Sequence, residues 1–306
     1  MNLDNVINGE NFKNLAHLIV DESNISDKIE YGDKKIVFCK SNAIPFFFNE
    51  IIKFDTQIIL ITHQSDYEVT DKIPKIRVEK TFVDGKMEEF TLLEIGKESP
   101  LYYRLKPKQI KKWFAVNTDC KFSDLITLPC GILNHKGPAM LDSVDFSYLE
   151  SLPDSNIDQL NNQTDKILDK IYVNFTETHF NRKMCRNFFI KSGIGYIETE
   201  NLKLEEYLRK INNFLFVACP RGNGIDTHRV WETLLMGSIP IVEKHSIYDN
   251  FDLPILQVES WVELLDKKKL QPWIDKYESG ELFQDISKLH MTYWKNLIFS
   301  EYNKLN

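Results

Sequence analysis

Two glycines one residue apart, flanked by arginines and followed by an Arg-x-x-Glu step, make residues 219–232 the part of this chain best equipped for chemistry. The run reads Cys219-Pro220-Arg221-Gly222-Asn223-Gly224-Ile225-Asp226-Thr227-His228-Arg229-Val230-Trp231-Glu232. Gly222 and Gly224 let backbone amides approach an anion with no Cβ in the way. Arg221 adds a permanently charged, planar fork suited to phosphate oxygens. Asp226 is the expected N-cap of a helix from about Thr227 to Met236, whose first turn offers unpaired N–H groups and a positive dipole end. Val230, Trp231, Leu234 and Leu235 form the apolar stripe of that helix, so Arg229 and Glu232, three residues apart, lie elsewhere on its surface. Arg229 is placed to touch phosphate, and Glu232 to accept from two ribose hydroxyls. The pattern reads as a seat for a nucleoside diphosphate. It lacks the Gly-Lys-Ser/Thr of a Walker A loop and the third glycine of the dinucleotide fingerprint.

The elements around this run have the form that such a seat needs. Asn213 to Ala218 is a buried strand leading into the glycine loop, and Gly237 stops the helix before the next strand, Ser238 to Val242. Ligands of parallel α/β sheets bind outside the carboxyl ends of the strands. Strand-like runs at Lys170 to Phe175 and Pro254 to Val258, with helical stretches at Phe180 to Ile190 and Leu204 to Lys210, continue the alternation. Ser260-Trp261-Val262-Glu263 has the capping-box form of a helix start, and the last forty residues read as helices. The first half repeats the rhythm: a strand at Ile36 to Cys39, a helix at Pro45 to Lys53, and strands at Gln57 to Thr62, Trp113 to Asn117 and Leu125 to Leu128. Between Pro74 and Leu93 the pattern is vaguer. Ser151 to Asp165 is polar and turn-rich, which sets a boundary between a domain at 1–155 and another at 156–306. The expected class is α/β, with two Rossmann-like halves whose parallel sheets face a central cleft.

Composition narrows the function classes. The chain carries a net charge of -7 with 38 basic and 45 acidic side chains, so it lacks the basic balance of a nucleic-acid binder. Lys106, Lys108, Lys111 and Lys112, and again Lys267, Lys268 and Lys269, read as solvated helix faces. Cys39, Cys120, Cys130, Cys185 and Cys219 form no Cys-x-x-Cys pair and are expected as reduced thiols. Neither a signal peptide nor a transmembrane run is visible, so a cytoplasmic location is expected.

The stretch from Phe216 to Glu232, continued by Met236-Gly237-Ser238-Ile239-Pro240-Ile241-Val242, resembles the donor-site signature of exostosin-like glycosyltransferases, of the form C-P-R-G, then R-x-W/F-E-A-L, then G-x-I-P-I/V. The likeness is close over about thirty residues and looser elsewhere; in the first half it touches only Ile61 to Tyr67 and Asn117 to Cys120. It implies a GT-B fold in which the second half binds a nucleotide sugar, UDP-sugar first, and the first half serves the acceptor, an oligosaccharide or lipid-linked glycan. The last helix can pack back on the first half. Carried over by position, Arg221 and Arg229 hold phosphate and Glu232 the ribose; inversion is the family-level expectation. No membrane anchor like that of secreted exostosins is visible, so the expected likeness is to cytosolic bacterial or large-virus relatives.

Transfer also needs a stabilised leaving group and a base for the acceptor hydroxyl. No Asp-x-Asp motif occurs, so a metal-dependent solution is disfavoured and no cofactor is expected beyond the nucleotide sugar. Arg182, opening a helix after a strand end, joins Arg221 and Arg229 as a source of positive charge, and Lys183 stands beside it. The donor set is thus Arg182, Arg221, Gly222, Asn223, Gly224, Asp226, Thr227, Arg229 and Glu232. For the base, Asp66 is first, with His63 and Asp119 on loops of the same kind. His135 and His228 are further options, and Glu243, Lys244 and His245 can reach the sugar. Three other readings stay open: a sugar-nucleotide epimerase on the same seat, a non-catalytic glycan-binding or scaffold protein, and an NAD-dependent enzyme.

Overall fold

The computed structural model describes residues 2–21, 34–72, 76–83, 86–93, 101–133, 147–151, 157–163, 165–200 and 202–305. The first half contains strands β1 (Leu18–Val20), β2 (Lys34–Cys39), β3 (Gln57–Thr62), β4 (Val69–Thr70), β5 (Ile76–Val83), β6 (Lys86–Leu93), β7 (Leu101–Tyr102), β8 (Ile110–Ala115) and β9 (Leu125–Thr127). Its helices are α1 (Gly9–Lys13), α2 (Ile44–Ile51) and α3 (Ser147–Ser151). The second half contains α4 (Ile157–Asn161), β10 (Ile167–Val173), α5 (Phe180–Ser192), β11 (Gly195–Ile197), α6 (Leu204–Asn212), β12 (Phe214–Ala218), α7 (His228–Leu235), β13 (Ile239–Glu243), β14 (Leu256–Val258), α8 (Gln271–Glu278) and α9 (Met291–Asn303). The expected α/β class is present, as two Rossmann-like sheets of five parallel strands each.

The first sheet runs β1-β2-β3-β8-β9, in chain order. Its strands are apolar on both sides, as parallel strands buried on two faces are. Ile36, Phe38, Ile59, Ile61 and Phe114 point into one core, and Val37, Cys39, Ile58, Leu60 and Trp113 into the other. The period of two assigns each side chain its face. Right-handed crossovers between strands that never reverse order put their helices on one face only. The helix α2 fills that face with Ile44, Phe47, Phe48 and Ile51. The opposite face is covered from both ends of the chain: Phe12 of α1 meets Trp294 of α9, and α9 lies against β3. Thr292 donates to Asn5, and the His17 ring meets that of Tyr302 edge-on at 4.9 Å.

The second sheet runs β11-β10-β12-β13-β14. Here the order reverses, since β11 lies on one side of β10 and β12 on the other. The reversal opens a crevice at the carboxyl ends of β10 and β12, flanked by the first turns of α5 and α7. A short parallel pair, β4 with β7, and an antiparallel hairpin, β5 with β6, sit outside the two main sheets.

Several sequence expectations change in detail. The run after Pro107 is strand rather than helix: Lys111 and Lys112 lie in β8, Lys106 Nζ pairs with Asp124 at 3.0 Å, and Lys112 reaches Glu301 of α9. The strand expected at Trp113 to Asn117 begins at Ile110 and ends at Ala115, because Asn117 turns the chain with φ 54°. Ser260 does form a capping box with Glu263, but it opens a 3-10 turn, Trp261–Leu265, not an α-helix. Lys267 to Lys269 form a second such turn, with Lys269 paired to Glu263. The boundary near 155 and the histidine at 135 lie outside the described residues.

Candidate functional site

The glycine loop leaves the end of β12 at Ala218 and reaches α7 at His228. Arg182, in the first turn of α5, comes up beside it: a Cβ placed on Gly222 would lie 2.8 Å from Arg182 Nη2. A side chain there would push the guanidinium outward from the loop backbone. Arg182 Nη1 donates to the Thr176 carbonyl and to Thr178 Oγ1, while its Nε is buried with no partner among the described residues. Burial, reinforced by the nearby Arg229 charge, lowers its pKa. A second unpartnered buried atom, Thr227 Oγ1, stands at the N-cap of α7. Two like charges near one another, one of them with an unused buried N–H, describe a place prepared for an anion.

Arg229 and Glu232 are joined by a residue that the sequence did not single out. Arg229 Nη1 donates to the Tyr207 hydroxyl at 2.8 Å, and that hydroxyl donates to Glu232 Oε2 at 3.0 Å. The guanidinium also lies over the rings of Tyr207 and Phe175, at 5.1 and 5.9 Å from their centroids. Burial pushes the Tyr207 phenol well above its ordinary value, so it stays protonated and keeps this one-way chain in order. Arg229 loses by burial, but Tyr207, Cys219 and Glu232 around it raise its pKa.

Asp226 departs from its expected role. Thr227, not Asp226, occupies the N-cap, and the Asp226 carboxylate is buried. It accepts from Cys130 N and Trp231 Nε1, each at 2.7 Å, and from Thr227 N at 2.9 Å. Cys130 belongs to the loop after β9, so Asp226 ties the glycine loop to the first half. Asn117, after β8, completes the tie: its Oδ1 accepts from Asp226 N at 2.9 Å and its Nδ2 donates to the Ser65 carbonyl. His228 Nδ1 donates to the Gly131 carbonyl at 2.7 Å. The loop that carries the anion seat is therefore also a contact between the halves. Burial raises the Asp226 pKa to about 6.

The loops after β3 and β8 form the opposite wall. A Cβ on Gly224 would meet Asn117 Nδ2 at 3.0 Å and Asp66 Oδ1 at 3.2 Å, so Asp66 faces the glycine loop directly. Asp66 is exposed and makes no hydrogen bond or ion pair among the described residues. Glu68 accepts from Arg221 Nη2 at 3.0 Å, and the same nitrogen donates to the Asn223 carbonyl. Asp119 is held on both sides, by Lys72 Nζ at 3.1 Å and His245 Nε2 at 3.2 Å. His63 is buried, with Nε2 donating to the Pro129 carbonyl and Nδ1 accepting from Gln64 N. Burial lowers it to about 4, and neither ring nitrogen is left for a substrate. Glu243 accepts from Asn181, and Lys244 pairs with Glu259.

The cleft thus brings together Asp66, Arg182, Arg221, Gly222, Gly224, Thr227, Arg229 and Glu232, and turns Asp226, His63 and Asp119 to other partners. Glu68, Asn117 and Tyr207 are its additions. Asn117 had one legible sign, being of the residue type that best tolerates a left-handed turn; Tyr207 and Glu68 had none.

No family model matches the chain, and no curated protein matches its sequence. Among solved structures it is similar to the crystal structure of TarM, at 8% identity and a TM-score of 0.42, over 88% of this chain and 54% of that one. The chain spans about half the length of that protein.

Proposed function

We propose that this protein is a glycosyltransferase that moves a sugar from a nucleotide-sugar donor, a UDP-sugar first, to a glycan or lipid-linked glycan, with inversion and with arginines in place of a metal. The observation that carries the reading is the pair of guanidinium groups, Arg182 and Arg229, at the crevice between β10 and β12, with Arg182 Nε and Thr227 Oγ1 buried and unpartnered among the described residues. A diphosphate seated there would accept from both. Arg221, at the outer edge of the loop, closes on it once Glu68 is displaced. The ribose hydroxyls fall to Glu232, whose position is set by the Tyr207 hydroxyl.

In this scheme the acceptor oxygen attacks the anomeric carbon and the bond to the diphosphate breaks. The acceptor's proton passes to Asp66. Preorganised positive charge receives the negative charge that builds on the leaving group, and such charge in a water-poor site acts strongly on the barrier.

Thermal shift with UDP, GDP and CMP tests the donor seat. One nucleotide at about a hundredfold excess over its Kd should stabilise the protein by roughly 2.7 kcal/mol. Arg182→Ala, Arg221→Ala and Glu232→Ala should each weaken that nucleotide about tenfold or more, since each removes a charge-assisted contact. A folded protein that responds to none of the three sinks the reading and favours a non-catalytic glycan-binding protein. Consumption of UDP-sugar without any acceptor would favour an epimerase.

Glu68→Gln should act in the opposite direction. The Arg221–Glu68 pair is partly exposed and so contributes little by itself. Removing the competing carboxylate should tighten nucleotide binding by about two- to fivefold, measured by titration calorimetry. Weaker binding would mean that Glu68 holds Arg221 in its working position.

A further inference from the structure

We propose that the outer face of α5, together with the turns that follow β14, docks on an anionic lipid surface. The exposed residues of α5 are Phe180, Lys183, Met184, Asn187, Ile190 and Lys191. At 100° per residue they occupy one continuous side of the helix, opposite Cys185 and Phe189. Three of them are large apolar side chains left 70, 52 and 58% exposed (Phe180, Met184 and Ile190). The 3-10 turn Trp261–Leu265 packs against the same helix through Trp261 on Phe189, and presents Val262 and Leu265 outward at 59 and 53% exposure. Single apolar residues on a surface are ordinary; five on two elements that pack together are a patch.

Charge identifies the occupant. From α5 through Lys269 these elements carry seven basic residues, Arg182, Lys183, Arg186, Lys191, Lys267, Lys268 and Lys269, against two acids, Glu263 and Asp266. Glu263 is taken by Lys269, and Asp266 caps the turn at Lys268. Arg186 pairs with Glu177. Lys183, Lys191, Lys267 and Lys268 are exposed and make no ion pair among the described residues. All this stands on a chain whose net charge is -7. A sheet of anionic headgroups above acyl chains matches both halves of the pattern, with lysines at phosphate level and Phe180, Met184 and Val262 below it.

Sedimentation with extruded vesicles of phosphatidylcholine, with and without phosphatidylserine, tests this. The wild type should bind only the phosphatidylserine vesicles, and high salt should release it. Phe180→Ser/Met184→Ser and Lys183→Glu/Lys191→Glu should each lower the bound fraction by about tenfold or more, with circular dichroism unchanged. Lys183→Arg/Lys191→Arg should bind as wild type does. Absence of binding, equal binding to neutral vesicles, or binding untouched by the charge reversals would each overturn the proposal. So would a dimer in sedimentation velocity that Phe180→Ser/Met184→Ser dissolves, because the face would then be covered by a second copy. Nucleotide thermal shifts on the same variants keep the two readings separate: loss of vesicle binding with an intact shift overturns neither the donor seat nor its assignment.

Discussion

An Asp66→Asn variant should lose sugar transfer by about 10²- to 10⁴-fold, the range of a removed general base, while nucleotide affinity stays within a few-fold. The choice rests on elimination among the groups that line the acceptor wall. His63 has both ring nitrogens in backbone hydrogen bonds, and burial lowers it to about 4. Asp119 is shared between Lys72 and His245, and Glu68 is bound to Arg221. Asp66 alone of these faces the glycine loop without a partner, 3.2 Å from where a side chain on Gly224 would begin. Asparagine keeps its shape and loses only the ability to take a proton. Asp66 also raises the Arg182 pKa through its charge, which offers a second role. The two roles separate in the kinetics. A fall in kcat at constant nucleotide Kd marks proton transfer; a parallel fall in nucleotide affinity would mark Asp66 as a positioning residue for Arg182. Full activity in the variant would remove Asp66 from the reaction.

The parts of this protein that could be read from its sequence are those governed by local rules. Gln57 to Thr62 is a strand because five of its six residues are apolar or β-branched, and the structure keeps those bounds. Gly237 ends α7 at φ 66°, as a C′ glycine should. The glycine loop lies at the end of a strand for the same local reason. What could not be read depends on partners far along the chain. Asp226 has every sequence mark of an N-cap, yet its carboxylate goes to Cys130 N, 96 residues away. A cap is worth about 1 kcal/mol, whereas two buried N–H groups left unpaired at the contact between halves would cost more. Tyr207 has the look of an ordinary helical aromatic until α6 sets it between Arg229 and Glu232. The covering of the first sheet was hidden in the same way. Its strands follow in chain order, so its local helices share one face, and only the topology reveals that α9 must supply the other. The lysines at 111 and 112 were misread because two charges in a row suggest a solvated helix, while in β8 one points outward and the other reaches α9.

Lys166→Met should destabilise the fold by about 2–5 kcal/mol and alter how stability responds to pH. Lys166 is 7% exposed and lies beneath the second sheet, with no acid as partner among the described residues. Its Nζ donates to the Asn212 carbonyl at 2.7 Å, the Met236 carbonyl at 3.0 Å and Ser238 Oγ at 3.1 Å. Asn212 ends α6 and Met236 caps α7, so one amine closes the carboxyl ends of two helices, where carbonyls lack partners and the dipole is negative. Methionine fills the volume and leaves both carbonyls buried without a donor. Burial lowers Lys166 to about 7, against 10.5 in an unfolded chain. Between those values the unfolded chain binds a proton that the folded one has released, so wild-type stability rises with pH across this window. The slope is bounded by about 1.4 kcal/mol per pH unit for one proton. Below about pH 7 both states hold the proton, and the cost of the buried charge is constant. Urea unfolding of wild type and Lys166→Met from neutral to alkaline pH measures the difference directly. The gap between them should widen as pH rises, because only the wild type gains. Parallel curves would show that Lys166 keeps its charge when folded, held by the two helix ends more strongly than burial opposes it.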